Sequence, residues 1–341
     1  MRNHSLDILR ILACLMIVIM HSPMPTISEN GVFLSSLSYL TAPGIGLFFM
    51  LSGALLLPIK TDIRTFLKKR FFKIAIPLVF WTVAYLLLVA VVRDKPVTWQ
   101  ILLSIPFSAQ GNPTFWFLYT LLGLYLIAPI LSRWVQKASR CEIEFFLILW
   151  VISLCFPLLR LVVDINTSET GILYYLSGYV GYFVLGYYLI TYPERLPLKW
   201  LLPAVFIAYA APIYCKLRGL SVDFYSVFWY LSIFSAIQCV FIWKLILWLT
   251  KKQENLGVKT FSAGLSKLSF GIYLVHFFII RELLWNWGFV TSIDSYYLQT
   301  AVIAVLAFLG SAAIACLIAS IPSICNLVGF KQPFYKSNYG Q

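Results

Sequence analysis

Apolar runs of membrane-crossing length recur along this chain, separated by short polar connections. They fall near residues 6–22, 42–59, 74–92, 114–132, 145–163, 172–192, 200–214, 224–249, 268–285 and 298–321. A helix needs about 20 apolar residues to cross a hydrocarbon core roughly 30 Å thick, and most of these runs meet that length, with 200–214 the short one. In lipid the backbone must satisfy its own hydrogen bonds, which selects helices over open strands. The pattern predicts an all-α, polytopic integral membrane protein of about ten transmembrane helices. An even number of crossings puts both termini on one side.

Polar positions inside the first run break this pattern. Asp7-Ile-Leu-Arg10 precedes an apolar stretch that closes on His21-Ser22. A helix turns about 100° and rises about 1.5 Å per residue, so His21 returns to within about 20° of Arg10, roughly 16 Å further along. Asp7 lies about 60° from Arg10 on the same side. Cys14, Ile17 and Val18 fill the interval, and a narrow polar stripe results. A charged side chain at the bilayer centre costs about 2.5–3.5 kcal/mol on insertion scales, so it is expected to face protein or a wet cavity.

The connections add detail. Residues 23–41 read as an outer loop, after which Ala42-Pro43-Gly44 opens the second span with Pro in the tolerated first turn. In Phe48-Phe49-Met50-Leu51-Ser52-Gly53 the small pair permits close helix approach. Residues 60–73 form a short, strongly basic connection. Residues 93–113 are the longest outer connection between spans, with Trp99 to Phe107 suited to the interface as a lid or acceptor platform. No internal repeat stands out, which weighs against many secondary-transporter folds.

Composition agrees with the pattern: 61% hydrophobic and 11% charged residues cannot cover an ordinary soluble surface. Aromatics at 17% suit interfacial belts. The reading is one membrane domain over 1–322 and a short cytoplasmic tail over 323–341. The net charge of +13 raises nucleic acid as a partner, but its distribution argues against it. With the termini inside, the inner segments hold Arg2, Lys60, Arg64, Lys68, Lys69, Arg70, Lys73, Arg133, Lys137, Arg140, Arg195, Lys199, Lys251, Lys252, Lys259, Lys267, Lys331 and Lys336. The outer loops hold Arg93, Lys95, Lys216 and Arg218, an asymmetry that follows the positive-inside rule. The seven cysteines show neither CxxC nor metal-ligand spacing and read as packing residues. The first run lacks a small-x-small cleavage site and reads as an uncleaved helix rather than a signal peptide.

His21 is the foremost chemical candidate. Near the outer side, a group that titrates around neutrality can take a proton from a hydroxyl and return it. A histidine bonded at a helix end is the plainer alternative. Arg10 lies deeper and suits a carbonyl, phosphate or carboxylate. An Asp7–Arg10 pair at i, i+3 is its structural alternative. Ser269, Tyr273 and His276 share a face of the ninth span within about 40°. Trp116 and Tyr119, one turn apart, fit either an aromatic belt or a sugar platform. Lys68, Lys69, Arg70 and Lys73 fit anionic lipid or the phosphates of a cytoplasmic donor. Arg160 and Asp164 read as a structural pair, and Lys244 as a snorkelling side chain. GxSxG, phosphate-loop and HExxH motifs are missing from the sequence, so ATP hydrolysis and metalloprotease chemistry have no support.

Six segments in order resemble the acyltransferase family 3 membrane proteins, the bacterial surface-polysaccharide O-acyltransferases. They are Asp7-Ile-Leu-Arg10 with His21; Leu47 to Gly53; Lys69-Arg70-Phe-Phe-Lys73 to Pro77; Phe115-Trp116-Phe-Leu-Tyr119 with Tyr125 and Pro129; Tyr182 to Gly186; and Ser269 to His276. The resemblance runs from helix one to about residue 322. It implies a ten-helix domain in the bacterial cytoplasmic membrane. Such a domain takes an acyl group, usually acetyl, from cytoplasmic acyl-coenzyme A to a hydroxyl of a surface glycan or its lipid-linked precursor. Arg10 and His21 match the family's arginine–histidine motif, with Asp7 beside them. Arg70 matches the first position of its inner Arg-x-x-Arg, where Lys73 replaces the second arginine and loses the forked geometry. With Lys69, these would hold the coenzyme, and Ser269, Tyr273 and His276 would line the path of its arm. The chain resembles the standalone kind without an esterase-like domain. No metal is expected, and a homo-oligomer is compatible. A glycan-intermediate transporter or flippase using the same cavity is the alternative, and a sensor or assembly partner of a glycan synthase is a further one.

Overall fold

The computed structural model describes residues 3–27, 31–93, 96–159, 163, 176–220, 222, 224–252 and 255–335. Its α-helices are α1 His4–His21, α2 Val32–Thr41, α3 Pro43–Leu56, α4 Ile63–Arg93, α5 Trp99–Ser104, α6 Trp116–Lys137, α7 Arg140–Leu154 and α8 Phe156–Leu159. They continue with α9 Val180–Thr191, α10 Leu198–Leu217, α11 Phe224–Val227, α12 Ile233–Thr250, α13 Leu256–Phe278, α14 Gly288–Thr291 and α15 Tyr296–Ser320. Among the described residues, nine helical runs are long and apolar enough to cross a membrane. The predicted sixth span is represented by α9, an apolar helix of 12 residues. Residues 172–175 of that span, and the anticipated Arg160–Asp164 pair, lie outside the described residues.

Several helices overrun their expected ends. Residues 32–41, read as outer loop, form α2 and lead through Ala42 into α3, whose Pro43 sits at a helix start. The 31 residues of α4 span about 46 Å, well beyond a hydrocarbon core. The basic cluster therefore stands on the first turns of a helix rather than in a loop, with Asp62 capping the start by accepting from Thr65 N at 2.8 Å. Likewise α13 starts at Leu256, inside the connection expected over 250–267, and carries Ser262 and Ser266. Hydropathy marks where a helix meets lipid, not where it ends.

The middle of the bundle is α1, packed against α2, α3, α12, α13 and α15. Leu9, Ala13, Ile17 and Val18 on it are almost fully buried. Side-chain bonds show that α1 and α13 run parallel: His4 Nδ1 meets Ser262 Oγ at 2.9 Å, Cys14 Sγ donates to the Ser269 carbonyl at 3.6 Å, and His21 lies against His276. At the same end as His4, Ser5 Oγ meets Thr250 Oγ1 of α12 at 2.6 Å. We refer to this end, which also carries the start of α4, as the basic end. Lys244, 8% exposed, donates to the Pro193 and Arg195 carbonyls, so it is held by backbone oxygens rather than reaching solvent freely.

Residues beyond the last span fold back. Cys325–Val328 form a 3-10 turn against α4, α13 and α15, and Val328 is fully buried. Trp81 Nε1 donates to the Leu327 carbonyl at 2.9 Å, and Phe334 N to the Ala319 carbonyl at 2.8 Å. Gly329 follows in the left-handed region at φ 84°, a conformation glycine adopts without strain.

The close approach expected at Ser52-Gly53 is made by α3 and α9. A Cβ on Gly53 would lie 1.7 Å from the Phe183 carbonyl oxygen, and one on Gly186 would lie 1.8 Å from that of Met50. Backbone thus meets backbone in both directions, and no side chain can move aside to make room. Gly53→Ala is expected to cost about 1–3 kcal/mol by overpacking, read as a lower melting temperature in detergent. Gly123→Ala, at an exposed position of α6 with nothing within 4 Å of the new methyl, should not lower it.

Candidate active site

At the basic end lies a cavity of about 1400 Å³ lined by the first half of α1 and α6, the second half of α3, residues 69–74 of α4, residues 266–273 of α13, and residues 329–332. Its walls include Asp7, Arg10, Lys69, Arg70, Lys73, Ser269 and Tyr273, all anticipated from sequence. They also include Ser266, Lys267 and Lys331, which were not. Lys69, Arg70 and Lys73 are brought together by helical spacing at i, i+1 and i+4 on α4. Six cations in the lining, Arg10, Lys69, Arg70, Lys73, Lys267 and Lys331, face a single carboxylate, Asp7. Such a field favours a ligand with several negative charges.

Arg10 is held in place by a bridge. Ser266 Oγ donates to Asp7 Oδ1 at 2.8 Å and accepts from Arg10 Nη1 at 3.1 Å, while Arg10 and Asp7 stand 4.0 Å apart. The Asp7 side chain is 6% exposed and that of Arg10 26%, so the guanidinium reaches the cavity while its counter-ion stays inside. Asp7 thus orients Arg10 from behind.

His21 and His276 are not in the cavity lining; they meet one layer further along the same two helices, their ring centroids 5.3 Å apart. His21 Nδ1 lies 2.9 Å from the Ile17 carbonyl oxygen and His276 Nδ1 lies 2.7 Å from that of Tyr273. A carbonyl only accepts, so in the neutral rings each Nδ1 carries the proton. His276 Nε2, 3.3 Å from His21 Nδ1, then shares His21's proton as a second acceptor. What remains is the lone pair on His21 Nε2, to which no described residue hydrogen-bonds. Second-partner control of this kind decides which imidazole nitrogen is basic.

The anticipated trio of His21, Arg10 and Asp7 does not converge on one point. Arg10 is eleven residues below His21, about 16 Å, which no arginine side chain spans. Ile17, Val18, Ile272 and Val275 in the interval are almost fully buried, so the seam between the two helices is dry there. Tyr273 joins the two regions: its side chain lines the cavity and its carbonyl holds His276. The cavity therefore ends about one helical turn short of the histidine pair. The Tyr273 hydroxyl donates to the Thr114 carbonyl at 2.7 Å, which fixes that wall.

Trp116 and Tyr119 separate in role. Tyr119 donates to the Ile105 carbonyl at 2.6 Å and ties the turn after α5 to α6. Trp116 stacks on Tyr230 at 5.5 Å, and the Tyr230 hydroxyl reaches Met20 Sδ, next to His21, at 3.1 Å. Trp116 thus belongs to the surroundings of His21 and Tyr119 to the scaffold. Trp99 and Phe107 on the connecting segment are largely exposed, as an interfacial stretch requires.

Ser266 had a legible signal. Asp7, Cys14 and His21 repeat every seven residues, as do Ser262, Ser269 and His276, and a shared heptad marks a seam between two helices. Ser266 lies on that face, one turn after Ser262. Lys331 had none, since it follows the last apolar run and no periodicity connects it to α4.

An all-α bundle of membrane-crossing helices enclosing a large cationic cavity, with a histidine pair beyond its far wall, is the arrangement this chain adopts. The model of an acyltransferase domain, that of acyltransferase family 3, matches residues 3–320, and the chain belongs to this acyltransferase family. No curated protein and no solved structure matches it.

Ser266→Ala removes the hydroxyl that bridges Asp7 and Arg10. It is expected to lower stability by about 1–3 kcal/mol, the cost of an unmade hydrogen bond at a buried polar group. Melting curves in detergent read this directly, and Ser266→Thr, which keeps the hydroxyl, should recover most of the loss.

Proposed function

We propose that this protein is a membrane O-acyltransferase that moves an acyl group, most simply acetyl, from acyl-coenzyme A to a saccharide hydroxyl. Acyl-coenzyme A enters from the cytoplasm at the basic end, which places both termini there. The acceptor is a surface glycan or its lipid-linked precursor at the opposite face of a bacterial cytoplasmic membrane. One observation carries the reading: among the described residues, a cavity lined by six cations and one carboxylate ends about a turn below a histidine pair in which His21 Nε2 accepts no hydrogen bond. Acyl-coenzyme A combines several phosphates at one end with a long, thin arm ending in a thioester, and that shape matches the arrangement.

Lys69, Arg70 and Lys73 hold the phosphates. Arg10, held by Asp7 and Ser266, contacts the polar arm as it passes. At about 16 Å from His21 it serves binding and orientation, not the reacting carbonyl. Ser269 and Tyr273 line the path. His21 Nε2 takes the proton from the acceptor hydroxyl, and the oxygen attacks the thioester carbon. The carbon–sulfur bond breaks, and the proton passes from His21 to the leaving thiolate. His276 is a positioning residue that, as a second acceptor beside the Ile17 carbonyl, helps keep the His21 proton on Nδ1. Trp116 and Tyr230 offer aromatic faces for a sugar near Met20 and His21. The thioester reaches His21 only if the residues between cavity and histidine pair part during turnover.

The test is reconstituted protein with acetyl-labelled coenzyme A and extracted glycolipid. Label should appear on the glycolipid, and His21→Ala should cut transfer by at least about 100-fold, the lower range for a lost general base, while coenzyme A still binds. His276→Ala should reduce the rate with unchanged coenzyme A affinity, and His276→Gln, which restores an acceptor, should regain part of it. Glycolipid that crosses the bilayer without gaining label would favour a flippase. Full transfer by His21→Ala would overturn the mechanism.

A further inference from the structure

The segment after the last span is not idle. The turn at Gly329 comes within 3.5 Å of the Lys73 side chain, measured from a Cβ built on the glycine, and within 2.7 Å of Phe270 on α13. Only a residue without a side chain fits between them, and the positive φ suits glycine as well. Just before it, Leu327 is tied to Trp81 of α4, and shortly after it Phe334 is tied to Ala319 of α15. Held at both ends, residues 329–332 form part of the cavity wall and bring Lys331 to it. Lys331 is exposed and makes no ion pair with an acidic residue among the described residues.

Cations therefore reach the cavity from four separate stretches of chain: Arg10 on α1, three on α4, Lys267 on α13, and Lys331 on the returning segment. A cation held at a cavity wall without a carboxylate partner leaves its charge for a ligand. Position along the chain sets its share of that ligand. Lys331 lines the cavity and is exposed, which sets it on the solvent side, where the most highly charged part of a donor would rest.

We propose that the Gly329–Gln332 turn is part of the donor site and that Lys331 contacts a phosphate of the nucleotide end of the donor. The proposal rests on the reading of the cavity as an acyl-coenzyme A site. It assigns a binding role to a segment outside the matched domain of residues 3–320.

The experiment is equilibrium binding of coenzyme A and of dephospho-coenzyme A, which lacks the ribose phosphate, to the full chain in detergent free of anionic lipid. Lys331→Ala should weaken coenzyme A binding about tenfold, the usual scale for a lost charge-assisted contact. Lys331→Glu should weaken it further and Lys331→Arg should largely restore it. Loss confined to coenzyme A assigns Lys331 to the ribose phosphate, and equal loss for both ligands assigns it to the pyrophosphate. Lys251→Ala, another exposed lysine outside the cavity lining, should bind as the parent does. Melting curves show that a variant has folded, and the Glu and Arg variants still carry the comparison if Ala does not. Unchanged binding by Lys331→Glu, with binding lost in Arg70→Ala, would overturn this proposal and leave the donor site standing. A parent protein that binds neither ligand would overturn both.

Discussion

The seam between α1 and α13 is the constraint on which the rest of the molecule depends. Two parallel helices at the centre of an apolar bundle present polar groups to one another along their length, from His4 and Ser262 at one end to His21 and His276 at the other. In hydrocarbon each of these groups must find a partner within the protein. The seam supplies a polar contact between the two helices at several levels, and these hold them in a single register. A slip of one residue would separate Ser266 from Asp7 and Arg10 and part the two histidines together. Stability of the bundle and alignment of the site are consequences of the same contacts.

Along that seam polarity is not uniform, and the variation divides the labour. Near the basic end the helices spread to form a large cationic cavity, with Arg10 aimed into it by a carboxylate and a hydroxyl behind. In the middle the helices close on Ile17, Val18, Ile272 and Val275, and water is excluded. Beyond the closure the histidines reappear in a hydrogen-bonded chain ending on a carbonyl. The transfer proposed above, from a charged donor on one side to a hydroxyl on the other, needs such a barrier. An open aqueous passage of this width would leak ions and hydrolyse an activated acyl group. Tyr273 sits at the closure, touching both compartments, and is the side chain whose displacement would join them.

The glycines show how the scaffold keeps this geometry. Gly53 and Gly186 let α3 and α9 approach until backbone touches backbone, which stiffens the wall beside α1. The same economy recurs at Gly329, where a missing side chain lets the returning segment rest on Lys73 and Phe270. At Gly53 and Gly186 the contact is backbone on backbone, so the separation of α3 and α9 is set within narrow limits.

Much of this was legible in the amino-acid order. Apolar run lengths determine that the chain is an all-α membrane protein, since lipid leaves a polar backbone few alternatives. Helical periodicity determines that Asp7, Arg10 and His21 share a face, and likewise Ser269, Tyr273 and His276, because those angles follow from the helix itself. The basic cluster on α4 is equally local. What faces each stripe is not local. That the two stripes face each other, that Ser266 joins Asp7 to Arg10, and that His276 gives the His21 proton a second acceptor beside the Ile17 carbonyl are decided only when distant helices pack. Periodicity gives a direction, and it carries no information about what lies in that direction. The same reason explains the expectations that shifted: α2, α4 and α13 exceed their hydropathic boundaries because a helix continues wherever tertiary contacts support it, whether or not lipid surrounds it. Lys331 belongs to the cavity for the same reason, through a chain reversal no local pattern encodes.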